Sequence, residues 1–184
     1  MVGPLPKSTL VTGFGPFPGV PENPSGTLVD VIGALELPGV VTQHLETTWA
    51  AETEIKGFAG EFQSVVMFGV AARSRRIRYE RLAHAGATPA ADSNGTLPEN
   101  PPYRSRWTQL PVRELARDAR AAGFDVAVSH SPGHYICNAA LSGALAVQPL
   151  ALFVHIPMPT GSGKLHCGQL TDHAVWLIRR LQGV

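Results

Sequence analysis

The stretch "DVAVSHSPGHYICNAALSGALAVQPLALFVHIP", residues 125–157, contains two apolar segments on either side of a helical pattern. Its segments at 125–130 and 151–157 predict strands, and residues 135–147 between them predict a helix. A strand, a helix and a strand in this order are typical of a βαβ unit, in which both strands lie parallel in one sheet. The stretch therefore predicts an α/β fold.

The same alternation continues outward along the chain. Apolar runs at 9–14, 40–47 and 64–70 predict further strands, and helical patterns lie at 27–37, 50–62, 110–123 and 169–181. The length of 184 residues suits one domain. We therefore expect a single three-layer α/β/α domain over residues 1–184, with a mostly parallel twisted sheet.

The composition narrows the class of protein. Hydrophobic residues make up 44% of the chain and the formal net charge is +1, so nothing attracts it as a whole to nucleic acid or to an anionic membrane. No apolar run approaches the roughly 18 residues of a membrane span, and the N-terminus lacks the apolar core of a signal peptide. Cys137 and Cys167 make no disulfide framework, although a bond between them stays open. We expect a cytoplasmic protein that binds neither nucleic acid nor a membrane.

Cys137 lies at or near the start of the predicted helix, after the turn "SPGHY". Unpaired backbone N–H groups and the helix dipole favour a thiolate there, and the same N–H groups can hold an oxyanion. Free cysteines are often buried and inert, however. The residues alone therefore leave two interpretations of Cys137, a nucleophile and a core side chain.

A nucleophilic cysteine needs a base, and His155 is the best placed histidine. It is the single polar residue in the apolar run "FVHIP", one helix and one strand after Cys137. Glu80 follows "RSRRIRY" and is the candidate carboxylate to orient the imidazole, since on a strand it would share a face with Arg76 and Arg78. The alternatives are a hydrogen-bonded core histidine and a surface ion pair.

Other segments give no metal or phosphate signature. The two cysteines and His155 lack the paired spacing of structural zinc sites, and "GFGPFPG" lacks G-x-G-x-x-G spacing. Phe14 and Phe17 in this loop are either core side chains or an apolar slot for a small ring. Asn23 beyond them would hold the loop or a polar substrate atom.

Four segments in this order resemble pyroglutamyl peptidase I (pyrrolidone-carboxylate peptidase), a family of cysteine peptidases. They are "LVTGFGPFPGVPENPS", "VVMFGVAARSRRIRYERLA", "SPGHYICN" and "LFVHIP". They correspond to the family's G-F-x-P-F-G-G and N-P-S, E-R-x-A, G-x-Y/F-x-C-N and H-I-P motifs. Together they span most of the chain.

The resemblance implies a catalytic arrangement of Cys137, His155 and Glu80, acting on peptides with an N-terminal pyroglutamate. It also implies a three-layer α/β/α fold, no cofactor, a cytoplasmic location and a homo-oligomer, either a tetramer or a dimer. The substrate-binding positions that we expect are Phe14, Phe17, Asn23, Val70, Tyr135 and Ile136.

Two segments depart from the family's usual sequence. At 70–75, "VAARSR" carries Val70, Ala72 and Arg73 in place of more typical residues. Residues 85–100 lack the acidic and Asn-rich stretch that is usual in the family. Two alternatives to a pyroglutamyl peptidase therefore stay open. They are a divergent family member that acts on another blocked N-terminus and a non-catalytic binding protein on the same scaffold.

Overall fold

The structure, a computed structural model, describes residues 8–17, 19–99, 104–158 and 167–183. The helices are α1 (Pro24–Ala34), α2 (Ala51–Phe58), α3 (Val112–Ala121), α4 (Ile136–Val147) and α5 (Cys167–Gln182). The strands are β1 (Thr9–Phe14), β2 (Val40–Leu45), β3 (Ser64–Val70), β4 (Ile77–Glu80), β5 (Leu82–Ala83), β6 (Arg106–Trp107), β7 (Val126–Ser129) and β8 (Ala151–Ile156).

One sheet of six strands, in the order β2-β1-β3-β8-β4-β7, forms the middle layer. Neighbouring strands are parallel except where β4 meets β8. This arrangement confirms the mostly parallel α/β sheet predicted from the sequence. The short strands β5 and β6 pair separately and were not predicted.

The prediction of a parallel unit over residues 125–157 was wrong. β7 is parallel to β4, and β4 is antiparallel to β8, so the strands on either side of α4 run in opposite directions. The reason lies in residues 71–76, which alone connect β3 to β4. A parallel return needs a crossover of about a dozen residues or more, so the chain turns back instead.

The sheet separates two hydrophobic clusters. Helices α1, α3 and α5 contribute to the first cluster, and α2 and α4 contribute to the second. The residues of β8 show the division, because Leu152, Val154 and Ile156 belong to the first cluster while Ala151 and Phe153 belong to the second. We call the side of the second cluster the α2/α4 face.

Helix α1 begins earlier than the sequence pattern predicts. Asn23 precedes it, and its side-chain oxygen accepts a hydrogen bond from the backbone N–H of Ser25 at 3.1 Å. Pro24 follows in the first turn, where its missing N–H costs nothing. The apolar periodicity that predicts this helix starts only at Leu28 and therefore misses its first turn.

Helices α2 and α4 approach each other most closely at Gly143. A β-carbon at this residue would overlap the backbone carbonyl oxygen of Glu52. Replacing Gly143 with alanine is therefore expected to lower the free energy of unfolding by about 1–3 kcal/mol, because neither backbone can yield easily. Urea denaturation measures this loss.

Gly57→Ala on α2 is the matched control. A β-carbon at Gly57 would have no heavy atom within 4 Å, so only helix propensity changes. Alanine is favoured over glycine in a helix by about 1 kcal/mol, and the control is expected to be neutral or stabilising. Equal destabilisation by both substitutions would contradict the close approach at Gly143.

His173 of α5 is fully buried on the side of the sheet where the first hydrophobic cluster lies. Its Nε2 lies 2.7 Å from the hydroxyl of Tyr79, and the ring of Phe124 packs edge-on against it. Burial lowers the pKa of His173 from 6.5 to about 3. The folded protein therefore keeps this ring neutral at a pH where the unfolded chain takes up a proton.

Stability is consequently expected to fall as the pH drops below about 6.5, with His173 contributing up to about 1.4 kcal/mol per pH unit until roughly pH 3. Denaturation between pH 7 and 4 measures the slope. His173→Gln, which does not titrate, should flatten it, whereas His44→Gln at an exposed histidine of β2 should not. Identical slopes for the wild type and His173→Gln would refute this account.

Candidate active site

Three adjacent strands bring functional residues to the α2/α4 face. His155 of β8 is paired in register with Gly69 of β3 on one side and with Arg78 of β4 on the other. Because side chains alternate along a strand, Glu80 lies on the same face as Arg78. Register with β8 places Glu80 opposite Phe153, the residue two before His155 on the same face.

Glu80 is fully buried and binds the His155 ring directly. Its Oε1 accepts a hydrogen bond from Nδ1 of His155 at 2.8 Å and lies 2.9 Å from the guanidinium of Arg78. A carboxylate can only accept, so Nδ1 keeps its proton when the ring is neutral and Nε2 becomes the acceptor. Glu80 thus selects the tautomer that a general base requires.

Cys137 lies in the first turn of α4 as a free, partly exposed thiol. No side chain caps this helix end, which leaves its first backbone N–H groups available to a ligand. The sulfur lies beside Gly69, the residue of β3 that is paired in register with His155. It lies 3.2 Å from the point that a β-carbon of Gly69 would occupy, so the missing side chain of Gly69 makes room for it.

The environment of His155 favours the protonated imidazolium form of its ring. Burial on its own lowers the pKa of His155, but hydrogen bonds to Cys137 and Glu80 and the negative charges of both groups raise it from 6.5 to about 9. The ring therefore carries a proton at neutral pH. In cysteine enzymes generally, a neighbouring cation favours the thiolate, which is the nucleophilic form of cysteine.

The expected apolar pocket residues fall on both faces of the sheet. Phe14, Tyr135 and Ile136 pack within or against the second cluster, on the face that carries Cys137. Val70 packs against the first cluster, so the structure does not bring it together with the others.

Phe17 and Asn23 lie in the loop between β1 and α1. Phe17 is half-buried and pairs through its backbone with Val20. Asn23 is buried, and besides capping α1 its amide donates a hydrogen bond to the carbonyl oxygen of Gly15 at 2.9 Å. These contacts are those of a side chain that holds the loop, one of the two roles the sequence left open.

Residues 84–96 cover one side of the candidate site. Asp92 accepts hydrogen bonds from three backbone N–H groups, one of them that of Trp49 after β2. The hydroxyl of Tyr135 donates to the carbonyl oxygen of Ala91 at 2.8 Å. Residues 84–96 are thus tied both to the start of α4 and to the segment that follows β2.

Asn138, next to Cys137, ties the start of α4 to the backbone of His84, and this role was not predicted from the sequence. It is fully buried, and its side chain accepts a hydrogen bond from the N–H of His84 at 2.7 Å and donates one to the carbonyl of His84 at 3.0 Å. A lone amide in the small and apolar segment "ICNAAL" could have signalled a buried residue with fixed partners, because buried polar groups are nearly always paired.

Phe153 and Arg78 complete the surroundings of His155. The ring of Phe153 lies 4.8 Å from that of His155. Arg78 donates to Oγ of Ser129 at 2.7 Å and to the carbonyl oxygen of Ser131 at 2.6 Å, in addition to its contact with Glu80. Alternation along "LFVHIP" could have placed Phe153. The partners of Arg78 come from the end of β7 and the loop after it, and the pairing of β7 with β4 could not be predicted.

Within the described ranges, no group of three or more His, Cys, Asp or Glu side chains could hold a metal ion. In those same parts of the chain, no helix combines the length and the apolar character that crossing a membrane requires.

The sequence is similar to known peptidases along most of its length. A family model described as pyroglutamyl peptidase matches residues 7–163. The pyrrolidone-carboxylate peptidase of Brevibacillus brevis is 28% identical over 173 residues, which cover 82% of this chain and 78% of that protein. That of Pectobacterium carotovorum is 29% identical over 180 residues, with 89% and 84% covered.

Solved structures share the fold. The crystal structure of pyroglutamyl peptidase I from Bacillus amyloliquefaciens has a TM-score of 0.80 at 24% identity, covering 97% of this chain and 98% of that one. Pyrrolidone carboxyl peptidase from Pyrococcus furiosus has a TM-score of 0.82 at 19% identity, with 96% and 98% covered. At these identities the likeness establishes the common architecture.

Proposed function

Because the chain belongs to the pyroglutamyl peptidase family and is an exo-type cysteine peptidase, we propose that it removes an N-terminal pyroglutamyl residue from peptides through Cys137, His155 and Glu80. The observation that carries this proposal is the buried hydrogen bond between Glu80 and His155, together with the Cys137 sulfur beside Gly69, which pairs in register with His155. The same three side chains are the ones whose chemistry pointed to a nucleophile, a base and an orienting carboxylate.

In the first step, the Cys137 thiolate attacks the carbonyl carbon that joins the pyroglutamyl ring to the next residue. A carbon–sulfur bond forms, and the carbonyl electron pair moves to the oxygen. The uncapped N–H groups at the start of α4 are suited to stabilise this oxyanion.

His155 then donates its proton to the leaving nitrogen, the carbon–nitrogen bond breaks and the shortened peptide departs. A thioester on Cys137 remains. The neutral His155, whose Nδ1 proton is held by Glu80, accepts a proton from water at Nε2 as the water attacks the thioester. Release of pyroglutamate restores the thiolate and the imidazolium.

The apolar side chains of Phe14, Tyr135 and Ile136 support specificity for a flat and uncharged lactam. A free N-terminal glutamate or glutamine would carry an ammonium group into this surface. Removing that charge from water without a partner costs free energy, so such substrates should react poorly.

A set of reporter amides with a constant leaving group tests the proposal. The pyroglutamyl amide is expected to be cleaved, and the glutaminyl, acetylalanyl and prolyl amides are expected to react far more slowly. Preferential cleavage of another blocked amide would replace pyroglutamate by that group as the substrate. No cleavage of any reporter would favour a binding protein that has kept the scaffold.

A further inference from the structure

The arginine run between β3 and β4 lines an open cleft next to the candidate site. This arginine cleft has a volume of about 570 Å³. Its walls include Arg73, Arg75, Arg76, Arg78, Ala71 and Ala127. One of these residues, Arg78, also contacts the carboxylate of Glu80, so the cleft adjoins the proposed catalytic groups.

The charge of the arginine cleft is only partly neutralised. Arg76 and Arg78 are each paired with a carboxylate, at 2.6 and 2.9 Å. Arg73 and Arg75 are exposed, and no carboxylate in the described parts of the chain pairs with either. Two guanidinium groups are therefore available to an anionic ligand.

The order of the strands puts the arginine cleft on the opposite side from the expected ring pocket. β3 and β8, which carry Gly69 and His155, lie at the centre of the sheet. β1 with Phe14 lies beyond β3, whereas β4 with Arg78 and β7 with Ala127 lie beyond β8. A substrate whose ring lies toward β1 therefore extends its leaving peptide toward the cleft.

We propose that the arginine cleft binds a carboxylate of the leaving peptide, so that the protein prefers pyroglutamyl peptides with an acidic residue at the first or second place after the cleaved bond. This inference rests on the proposed function. Guanidinium groups present paired N–H donors that match a carboxylate. Arg73 and Arg75 supply the selectivity, because the charges of Arg76 and Arg78 are already balanced within the protein.

The test uses pyroglutamyl peptides with amidated C-termini, so that the only carboxylate is the one under study. Glutamate, glutamine or lysine occupies the first or the second place after the scissile bond, and the freed amine is quantified by chromatography. The ratio of kcat/KM for glutamate over glutamine is expected to be roughly tenfold at one of these places in low salt. The gain should appear chiefly in KM and shrink as salt screens the charges.

Three double variants are compared through this ratio, and the two glutamine pairs change the net charge equally. Arg73→Gln/Arg75→Gln is expected to bring it close to one, and Arg73→Glu/Arg75→Glu should shift the preference to lysine. Arg113→Gln/Arg179→Gln, at exposed arginines on α3 and α5, is the control and should leave the ratio at the wild-type value.

The outcomes separate the two proposals. If the wild type cleaves the glutamine peptides but shows no preference for glutamate, the arginine cleft is not a subsite while the proposed function stands. An equal fall of the ratio in the control variant would overturn the inference as well, because it would show a diffuse effect of net charge. If the wild type cleaves no pyroglutamyl peptide at all, the proposed function fails and this inference fails with it.

Discussion

Replacing Cys137 with serine is expected to lower kcat/KM for a pyroglutamyl reporter amide by about 10⁴- to 10⁶-fold, the range found when a catalytic nucleophile is removed. The reason is that a serine hydroxyl is a much weaker acid than a thiol and gives up its proton to a neighbouring base far less readily. Cys167→Ser makes the same substitution at the chain's other cysteine and is expected to keep most of the activity.

Alkylation provides a readout that does not depend on substrate. Iodoacetamide should label Cys137, because its thiol is free and partly exposed and the thiolate is the reactive form of cysteine. His155→Ala should slow this labelling by removing the imidazolium next to the sulfur. Comparable turnover by the wild type and Cys137→Ser, or labelling that ignores His155, would remove Cys137 from the mechanism.

Replacing Glu80 with glutamine is expected to lower kcat/KM by about 10³- to 10⁴-fold, as in related triads whose carboxylate is converted to an amide. A glutamine amide can donate a hydrogen bond to Nδ1 of His155, which would move the ring proton to Nε2. Nε2 could then no longer accept a proton. Glu114→Gln on α3 makes the same change at an exposed residue and should have little effect.

The pH profile distinguishes this role of Glu80 from a merely structural one. Activity of the wild type is expected to decline as the pH rises through about 9, because the pKa of His155 is raised to about 9 and only the protonated ring can donate to the leaving amine. Glu80→Gln removes a charge and a hydrogen bond that raise this pKa, so the alkaline decline should move to lower pH. An unchanged profile in a folded variant would contradict the assignment.

The candidate catalytic residues could be predicted from the sequence because each has a local signature. Cys137 follows a turn that ends at a helix start, and His155 interrupts an apolar strand. Alternation along β4 then assigns Glu80 and Arg78 to one face without any knowledge of the partner strands. The residue types and their places on single elements are sufficient for these inferences.

Strand direction and the contacts of residues 84–96 could not be predicted, because both depend on partners far away in the chain. Nothing between β3 and β4 forms a helix, yet the sequence alone does not tell on which side of β8 the returning strand will pair. Likewise, Asp92 fixes its segment through Trp49, which lies 43 residues earlier. Val70 is a further example. The resemblance to the family implied a substrate-binding role for this residue, but its side chain packs against the first cluster, on the face opposite to Cys137.

The antiparallel pairing of β4 with β8 has a consequence for how such a peptidase diversifies. Register with β8 fixes Glu80, whereas residues 71–76 form a bridge outside the sheet. A one-residue insertion within β4 before Glu80 would turn its carboxylate to the face of the first cluster, away from His155, because it reverses the direction of every following side chain. An insertion in the bridge leaves that alignment intact, so selection can rebuild substrate preference there without touching the reaction itself.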